Sequence, residues 1–578
     1  MGNSPNEVRA WLNEERSYLV WEAEGIESMV GLRNYDGLAF FINGKVDGNA
    51  KYDAPTQVMG PLVGAVLHPD PQTSLVIGMG TGSSAGWLAE VPTMRRVDQI
   101  ELEKVMFEVA RRSAPVNNNV LEHPKVNNII GDGREFLLTS SNQYDLIFSE
   151  PSNPYRAGIA SLYTREFYQA VEKRLKKGGI FSQWVQGYEV DTRIVRIIYA
   201  TLYSVFPSIE VWETMQNDLL FVCSMEEIPQ TILGLRKRID QEPFRSALLY
   251  AWGTRDLEGF LSHYVANVRL AKSMAAKDLE EGLVNTDDRM LLEFSFARTM
   301  MSRQLRIAEI IRQEALKRKM HTPLGMDASL DWQKILENYD LLAVNQGFTT
   351  QNSPDLPKDR QVRIEAYNLF NADQLAADQI LQLWKQQHHE VKYPLEIAML
   401  AEAYAEKGHY KALPLINQLK KYFPVTAEAI LAKYYLRSKD PEQALNSMRE
   451  VFTNLRTYPW VMVPVMYRAL LQATEMARYF PVMAPVIFEL VSEPFCVSIL
   501  DRARKSAMLE ISNDLPIEKA VEALQEFEPH VPWNEGFLRA RFEVYKETNH
   551  SMIQQAEKDL NDFLKNKNVG SIHKANGQ

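Results

Sequence analysis

A glycine-rich turn at residues 74–83 limits the folds open to this chain more than any other stretch. Its sequence, Ser-Leu-Val-Ile-Gly-Met-Gly-Thr-Gly-Ser, places apolar residues before Gly78, Gly80 and Gly82, and a helix-compatible segment follows at 84–90. This order is typical of a buried β-strand, a tight turn and a helix start. The glycines allow positive φ and close approach of a ligand, and the helix N-terminus offers unpaired N–H groups. The turn therefore predicts a nucleoside or phosphate site, although some plain turns share the motif.

The distance to the next acidic strand end strengthens this prediction. Val97-Asp-Gln-Ile-Glu-Leu102 has the pattern of a second strand ending near Glu101, about 20 residues beyond the glycines, where doubly wound sheets place the acid that binds a ribose diol. The pair of signals favours a nucleoside site over a plain turn.

Strand and helix patterns continue to alternate as far as residue 225. The further predicted strands lie at 126–130, 144–148, 180–185 and 219–223. Repeated units of this length predict an α/β fold with a parallel sheet and helices on both faces. Ligands of such sheets lie at the carboxyl ends of the strands, where Asp132, Gly133 and Glu150 also fall.

The sequence predicts a β-unit before this sheet and helices after it. Alternating segments at 18–23, 28–32 and 38–43 are separated by turn sequences and predict antiparallel strands. Strand signals stop near residue 226. The predicted domains are an N-terminal β-unit at 1–60, a nucleoside-binding domain at 61–225, a helical extension at 226–330 and a helical-repeat domain at 331–578.

A repeat is visible in the C-terminal half. Ala401 and Tyr404 have counterparts in Ala432 and Tyr435, each 31 residues later. Small residues at recurring positions predict stacked helical hairpins whose seams, including these four residues, are buried. The pattern resembles tetratricopeptide repeats with a short period and an incomplete signature, so another kind of helical solenoid is the alternative.

Composition narrows the classes of function. A net charge of −10 argues against a nucleic-acid-binding surface. Cys223 and Cys496 are the only cysteines, which predicts no disulfide framework, no thiolate metal site and a reducing compartment. No segment has the ~18 uninterrupted apolar residues of a membrane-spanning helix. The N-terminus lacks the apolar core of a signal peptide, so the expected location is the cytoplasm.

Residues 36–225 resemble the spermidine/spermine synthase family of aminopropyltransferases. The motifs that carry the resemblance are the glycine turn, Gln-Ile-Glu-Leu-Glu103, Gly-Asp-Gly133 and Glu-Pro-Ser-Asn-Pro154. The last motif, together with 161–168, looks like a bacterial branch that is often fused to membrane-spanning segments. The resemblance implies a Rossmann-like sheet of the class I methyltransferase type. It also implies S-adenosylmethionine or its decarboxylated form as a substrate, with no metal.

The resemblance also implies roles for single residues. Glu101 would bind the ribose hydroxyls, Asp132 the adenine amino group, and Glu150 would be the base that deprotonates the acceptor amine. The remaining implied nucleoside-site residues are Gly78, Gly80, Thr81, Gly82 and Gly133. The implied acceptor-site residues are Gln57, Asn153 and Gln183. Tyr188 flanks the predicted pocket and is a further acceptor-site candidate, with a place in the aromatic core as the alternative.

Two acids of the family pattern are replaced in this chain. Thr81 stands where the family has an Asp for the amine of decarboxylated S-adenosylmethionine, and Asn153 stands where it has a second amine-binding Asp. Because a cationic amine needs carboxylates to replace its lost hydration, we expect weaker cation sites here. Losing the charge at Thr81 also removes a repulsion of the carboxylate of intact S-adenosylmethionine.

The sequence therefore favours a transferase that moves an alkyl group, aminopropyl by resemblance, to an unidentified small-molecule acceptor such as an amine. One alternative is an enzyme acting on intact S-adenosylmethionine, a methyltransferase for example. Another is a non-catalytic nucleoside-binding module that contacts a protein through its helical repeats. A homodimer is compatible with either. Nucleic-acid partners and a membrane span are not expected.

Overall fold

The computed structural model describes residues 4–35, 37–152, 158–228, 230–299, 306–326 and 330–575. The chain divides into two compact units. One comprises Met1–Glu22, Gly31–Ala39 and Leu400–Gln578, and the other comprises Ala23–Val30 and Phe40–Met399. The four-domain division predicted from the sequence stays a prediction.

The N-terminal β-unit is a small sheet with strands in sequential order. Its strands are β1 (Leu19–Glu24), β2 (Met29–Arg33), β3 (Ala39–Ile42) and β4 (Lys45–Asn49). Parallel neighbours need crossovers of a dozen or more residues, so these short connections make the sheet antiparallel. The predicted strand positions are confirmed to within a few residues, and β4 was not predicted.

A larger sheet carries the glycine turn. Its strands are β5 (Thr73–Ile77), β6 (Arg96–Glu101), β7 (Val126–Ile130), β8 (Tyr144–Ser149), β9 (Leu175–Gln186), β10 (Ser208–Met215), β11 (Asp218–Ser224) and β12 (Tyr264–Ala266). Their order in the described sheet is β12-β10-β11-β9-β8-β5-β6-β7. This arrangement confirms the predicted α/β class.

The sheet is parallel only in part, which corrects the prediction of a parallel sheet. Strands β5 to β9 run parallel, whereas β11 pairs antiparallel with both β9 and β10, and β12 pairs antiparallel with β10. Only Gln216 and Asn217 separate β10 from β11, and a link this short can join only antiparallel strands. Strands β10 and β12 were not predicted. The hairpin places the start of β11 near the carboxyl end of β9.

Helices precede the larger sheet and cover its connections. Up to residue 252 they are Pro5–Ser17, Ala54–Gln57, Met59–Leu67, Ser83–Ala89, Met106–Arg112, Ala114–Asn117, Gly133–Thr139, Arg165–Arg174, Thr192–Tyr203, Ile232–Ile239 and Phe244–Trp252. One face of the sheet packs on an aromatic core in which Phe181 and Phe206 stack at 5.6 Å and Tyr168 is fully buried. This packing fixes the strand ends that carry the site.

Helices dominate the rest of the chain. They are Leu257–Leu261, Val268–Glu280, Leu291–Thr299, Ile307–Lys317, Trp332–Asn345, Lys358–Phe370, Ala377–Trp384, Pro394–Glu406, Ala412–Leu419, Pro424–Arg437, Pro441–Leu455, Val463–Tyr479, Ala484–Ser492, Asp501–Ser512, Ile517–Gln525, Glu535–Glu547 and Ile553–Ala575. Within the described ranges, no helix combines the length and apolar character needed to cross a bilayer.

The predicted repeat seams are buried only at their small residues. Ala401 and Ala432 are inaccessible to solvent, whereas Tyr404 and Tyr435 are half-buried, so the prediction is wrong for both tyrosines. The Tyr404 ring lies near the end of its helix, 5.5 Å from the His409 ring. A tyrosine in that position can pack its ring while its hydroxyl stays in solvent. The resemblance to tetratricopeptide repeats stays a prediction.

Candidate active site

The glycine turn touches the end of β8 directly. Gly78, Gly80 and Gly82 all have positive φ, at +96°, +51° and +81°. A Cβ at Gly78 would lie 2.7 Å from the carbonyl oxygen of Glu150, whereas one at Gly80 would meet only the Phe40 ring, at 3.5 Å. Gly78 is therefore needed for close backbone contact, and the backbone at Gly80 stays open to a ligand.

Glu101 is held rigidly at the end of β6. Its Oε2 accepts a hydrogen bond from the Met79 N–H at 2.8 Å, and its Oε1 accepts one from the Glu103 N–H at 2.9 Å. Burial raises the pKa of Glu101, and these backbone bonds lower it in part. Because each carboxylate oxygen has a second lone pair, this fixed group can still accept hydrogen bonds from a diol.

Asp132 begins the helix that follows β7. Its Oδ1 accepts hydrogen bonds from the backbone N–H groups of Arg134 at 2.7 Å and Glu135 at 3.0 Å. Next to it, a Cβ at Gly133 would lie 2.6 Å from the Ile77 side chain, so this residue packs the helix start against β5. The capping bonds orient the carboxylate, and Oδ2 is the oxygen that can accept from a ligand.

Thr81 and Gln57 come together, although the sequence assigned them to different sides of the site. The buried Thr81 hydroxyl donates to Gln57 Oε1 and lies 3.0 Å from Ser83 Oγ. The hydroxyl that replaces the family's acid therefore holds Gln57 in place. It offers no negative charge to a ligand.

Glu150 follows β8 and lies against the first helix after the glycine turn. Its Oε2 accepts a hydrogen bond from Ser84 Oγ at 3.0 Å, and the same hydroxyl lies 2.8 Å from the Gln57 carbonyl oxygen. The hydroxyl has one proton, so these two acceptors compete for it. Burial raises the pKa of Glu150 to about 8, the Ser84 contact lowers it, and nearby acids raise it.

Those acids were missed by the sequence analysis. The negative charges that act on Glu150 belong to Asp218, Asp53 and Asp47. They come from the start of β11, the residue before the helix at 54–57, and β4, so no local motif unites them. The only local signal was an acid beside apolar residues at Asp218-Leu-Leu-Phe-Val. We name Asp47, Asp53, Glu150 and Asp218 the acidic pocket.

The acidic pocket does not have the geometry of a metal site. Within the described ranges, no group of three or more His, Cys, Asp or Glu side chains is arranged to hold a metal ion.

The other predicted acceptor residues are only partly brought together. Gln183 is fully buried beside Ser149 on β8, and its Nε2 donates to the Trp184 carbonyl oxygen at 3.1 Å. Tyr188 lies just beyond β9, with its carbonyl oxygen accepting from Gln186 Nε2 at 3.0 Å. Asn153 lies outside the described residues.

A further missed residue, Glu103, fastens the β1–β2 turn beside Glu101. Its Oε2 accepts from the Ile26 N–H at 2.6 Å and its Oε1 from the Glu27 N–H at 2.8 Å. At Gly25 a Cβ would lie 2.1 Å from the same carboxylate. The turn therefore forms a fixed wall next to the predicted ribose acid.

The strand order and the glycine turn define a Rossmann-like α/β domain of the class I methyltransferase type. Residues 59–216 match the family model of the spermine/spermidine synthase domain. The chain thus carries a spermine/spermidine synthase domain, which confirms the resemblance inferred from its motifs.

Curated relatives match the same region. A polyamine aminopropyltransferase of Nitrosomonas europaea is 37% identical over 143 residues, which is 25% of this chain and 44% of that protein. A polyamine aminopropyltransferase of Clostridium perfringens is 31% identical over 148 residues, which is 25% of this chain and 52% of that protein. The chain thus spans about half the length of the curated relatives it matches.

Solved structures are similar at low identity. Spermidine synthase from Thermotoga maritima is 19% identical, with a TM-score of 0.37 covering 45% of this chain and 88% of that one. Human methyltransferase-like protein 13, solved in complex with SAH, is 20% identical, with a TM-score of 0.27 covering 31% and 87%.

Proposed function

We propose that this protein transfers an alkyl group of the aminopropyl type from an S-adenosylmethionine-type nucleoside to an amine. The observation that carries the proposal is the position of Glu150. Its backbone approaches the glycine turn at Gly78, and the charges of three further acids act on its carboxyl. A base is thereby held between a nucleoside-binding turn and a pocket suited to a cation.

In the proposed reaction, the acceptor nitrogen attacks the carbon next to the sulfonium. A C–N bond forms as the C–S bond breaks, and the bonding electrons go to sulfur, which leaves as the neutral thioether methylthioadenosine. The extra proton on nitrogen passes to the Glu150 carboxylate. The sulfonium is already a good leaving group, so the protein mainly aligns the reactants and keeps the amine neutral.

The raised pKa of Glu150 suits this role. A general base works best when its pKa lies near the working pH, and burial raises the pKa of Glu150 to about 8. An ordinary glutamate would be too weak a base to take a proton from an alkylammonium ion in the reacting complex. The acidic pocket thus supplies both cation binding and a stronger base.

Nucleoside binding is assigned to the opposite side of the glycine turn. Glu101 is oriented to accept from the ribose hydroxyls, and Asp132 Oδ2 is available for the adenine amino group. Thr81 is uncharged and bonded to Gln57, so it neither attracts the amine of the decarboxylated nucleoside nor repels the carboxylate of the intact one. A titration that compares the two nucleosides therefore identifies the substrate.

The first prediction concerns binding and turnover of the purified full-length chain. In titration calorimetry, we expect binding of methylthioadenosine and of decarboxylated S-adenosylmethionine. Glu101→Gln should weaken binding about 10-fold or more by losing charge-assisted bonds to the ribose. Exposed Glu122 provides the control, since Glu122→Gln should bind as the parent does. With amine present, methylthioadenosine should accumulate.

Three outcomes would redirect this proposal. Failure of both nucleosides and of S-adenosylmethionine to bind would exclude the enzyme. Preference for intact S-adenosylmethionine would favour a methyltransferase or other chemistry on that molecule. Nucleoside binding without turnover of any amine would favour a non-catalytic module that contacts a protein through the helical region.

A further inference from the structure

We propose that a cavity built from residues 10–34 and 501–534 binds an organic anion with an apolar body. The cavity has a volume of about 510 Å³, which lies in the usual range for small-ligand sites. Its lining residues all belong to one compact unit, whereas the residues of the proposed active site belong to the other. The inference therefore goes beyond the proposed function and does not depend on it.

The first argument is the pairing of charges on the cavity wall. Every acid on its lining contacts a basic side chain. The pairs are Glu14 with Arg502 at 3.4 Å, Asp501 with Lys505 at 3.1 Å, Glu526 with Arg504 at 2.6 Å and Glu528 with Arg541 at 2.7 Å. Arg16 also lines the cavity and forms no ion pair with any residue that the structure describes. A ligand in the cavity thus meets a guanidinium group that the acids of the wall leave available.

His530 and Arg9 extend this positive charge. Burial lowers the pKa of His530, and the charges of Arg16 and Arg9 lower it further. The two arginines are roughly two turns apart on the helix at Pro5–Ser17, so they lie on the same face. The Arg9 guanidinium also lies 5.2 Å from the centroid of the Trp533 ring. A carboxylate, phosphate or sulfonate beside His530 would relieve the repulsion among these groups.

The rest of the cavity favours an apolar body on the anion. Its wall carries rings and aliphatic side chains, which are Leu19, Val20, Phe527, Pro529, Pro532 and Trp533. Covering this surface with a ring removes apolar area from water, which a bare inorganic anion cannot do. The chemistry of the wall therefore points to an aryl or acyl anion.

Contacts between the helix and the loop hold the cavity in shape. Trp533 Nε1 donates to Asn6 Oδ1 at 3.1 Å, and Asn13 Nδ2 donates to the Val531 carbonyl oxygen at 2.9 Å. Asn13 is buried, and Val531 and Trp533 belong to a small apolar core. Because the cavity exists before binding, a ligand does not have to order it, which favours affinity.

The test compares two fluorescent probes that share the anilinonaphthalene rings. One is 1-anilinonaphthalene-8-sulfonate, an anion, and the other is N-phenyl-1-naphthylamine, which is neutral. In titrations of the full-length chain, Arg16→Gln should raise the Kd of the sulfonate about 10-fold, because a charge-assisted bond is lost. The Kd of the neutral probe should not change. Arg16→Lys keeps the charge and should retain most of the parent's affinity for the sulfonate.

Two further variants locate the binding. Ser17→Trp places a ring at the exposed rim of the cavity and should weaken both probes, while Arg449→Gln, at an exposed arginine of the helix Pro441–Leu455, should match the parent. Circular dichroism confirms that each variant is folded.

Three outcomes would overturn the assignment. The first is a parent chain that does not bind the sulfonate, and the second is unchanged sulfonate affinity in folded Arg16→Gln and Ser17→Trp proteins. The third is displacement of the sulfonate by saturating methylthioadenosine, which would place the probe in the nucleoside site. None of them bears on amine alkylation, so failure of this inference and failure of the proposed function are distinguishable.

Discussion

Replacing Glu150 by glutamine should lower kcat for amine alkylation about 10²- to 10⁴-fold, the usual contribution of a general base. Glutamine keeps the size of the side chain and can hydrogen-bond to Ser84, but it cannot take a proton from the acceptor nitrogen. Nucleoside affinity should change little, because Glu101 lies at the end of β6 and Asp132 caps the helix after β7, away from the end of β8. The measurement is the rate of methylthioadenosine formation, with Glu122→Gln as the matched exposed control.

The pH dependence of the same variant gives an independent check. In the parent, kcat/KM should rise with pH through about 8, as Glu150 loses its proton and becomes able to act as a base. Glu150→Gln should lack this limb while keeping any dependence that comes from the amine itself. A variant with the parent's rate and profile would show that Glu150 only completes the loop structure.

The effect of Glu150→Gln on folding stability should be opposite in sign to its effect on kcat. Burial raises the pKa of Glu150 from 4.5 to about 8, so the folded chain retains a proton that the unfolded chain releases. That contribution to stability is complete below pH 4.5 and is lost as pH rises through 8. Glutamine has no proton to lose at this position, so Glu150→Gln should not show this fall in stability. The Tm of the variant minus the Tm of the parent should therefore grow as pH rises from 6 to 9. A catalytic acid that costs stability is common in active sites.

The strand ends that carry the proposed nucleoside-binding residues were predictable from the sequence because their signals are local. Gly78, Gly80 and Gly82 lie within one turn, and Glu101 follows at a distance set by one helix and one strand. Each of these residues is placed by the strand that immediately precedes it. Short-range patterns of this kind determine strand ends in a doubly wound sheet.

The acceptor side was not predictable in the same way. Asp218 reaches the pocket because β11 inserts antiparallel between β9 and β10, and nothing near residue 218 specifies that register. Asp47 and Asp53 come from the N-terminal β-unit and the turn after it. The sequence analysis found weaker cation binding because it counted only the positions of the family pattern. Long-range strand pairing brings other acids near Glu150, and the proposed cation site rests on them.

The helical region carries the second large expected effect. Glu402 is completely buried, and its carboxylate contacts Lys433 Nζ at 2.7 Å and Arg468 Nη2 at 2.5 Å. Lys433 lies 31 residues after Glu402, so the predicted repeat offset aligns the pair on successive hairpins. Glu402→Gln leaves two buried cations without their shared carboxylate, which should cost about 3–5 kcal/mol of unfolding free energy. Hydrogen exchange across 394–479 should report the loss.

The pKa of Glu402 gives the sign of the pH effect. Burial alone would raise it, but Lys433 and Arg468 together lower it from 4.5 to about 2. A depressed carboxyl pKa contributes stability above pH 4.5 that is lost as pH falls toward 2. The difference in stability between the parent and Glu402→Gln should therefore shrink in acid, which a structural defect unrelated to charge would not produce.

A charge-free replacement of the whole cluster separates charge pairing from packing. If uncompensated charge is the cause, the triple variant Glu402→Leu, Lys433→Leu and Arg468→Met should recover most of the lost stability, since the three buried charges are removed together and part-buried Glu406 keeps Arg437 as its partner. The exposed Glu450→Gln in a neighbouring helix should be neutral. Equal destabilisation of the single and triple variants would instead show that the shapes of these side chains, and not their charges, hold the hairpins together.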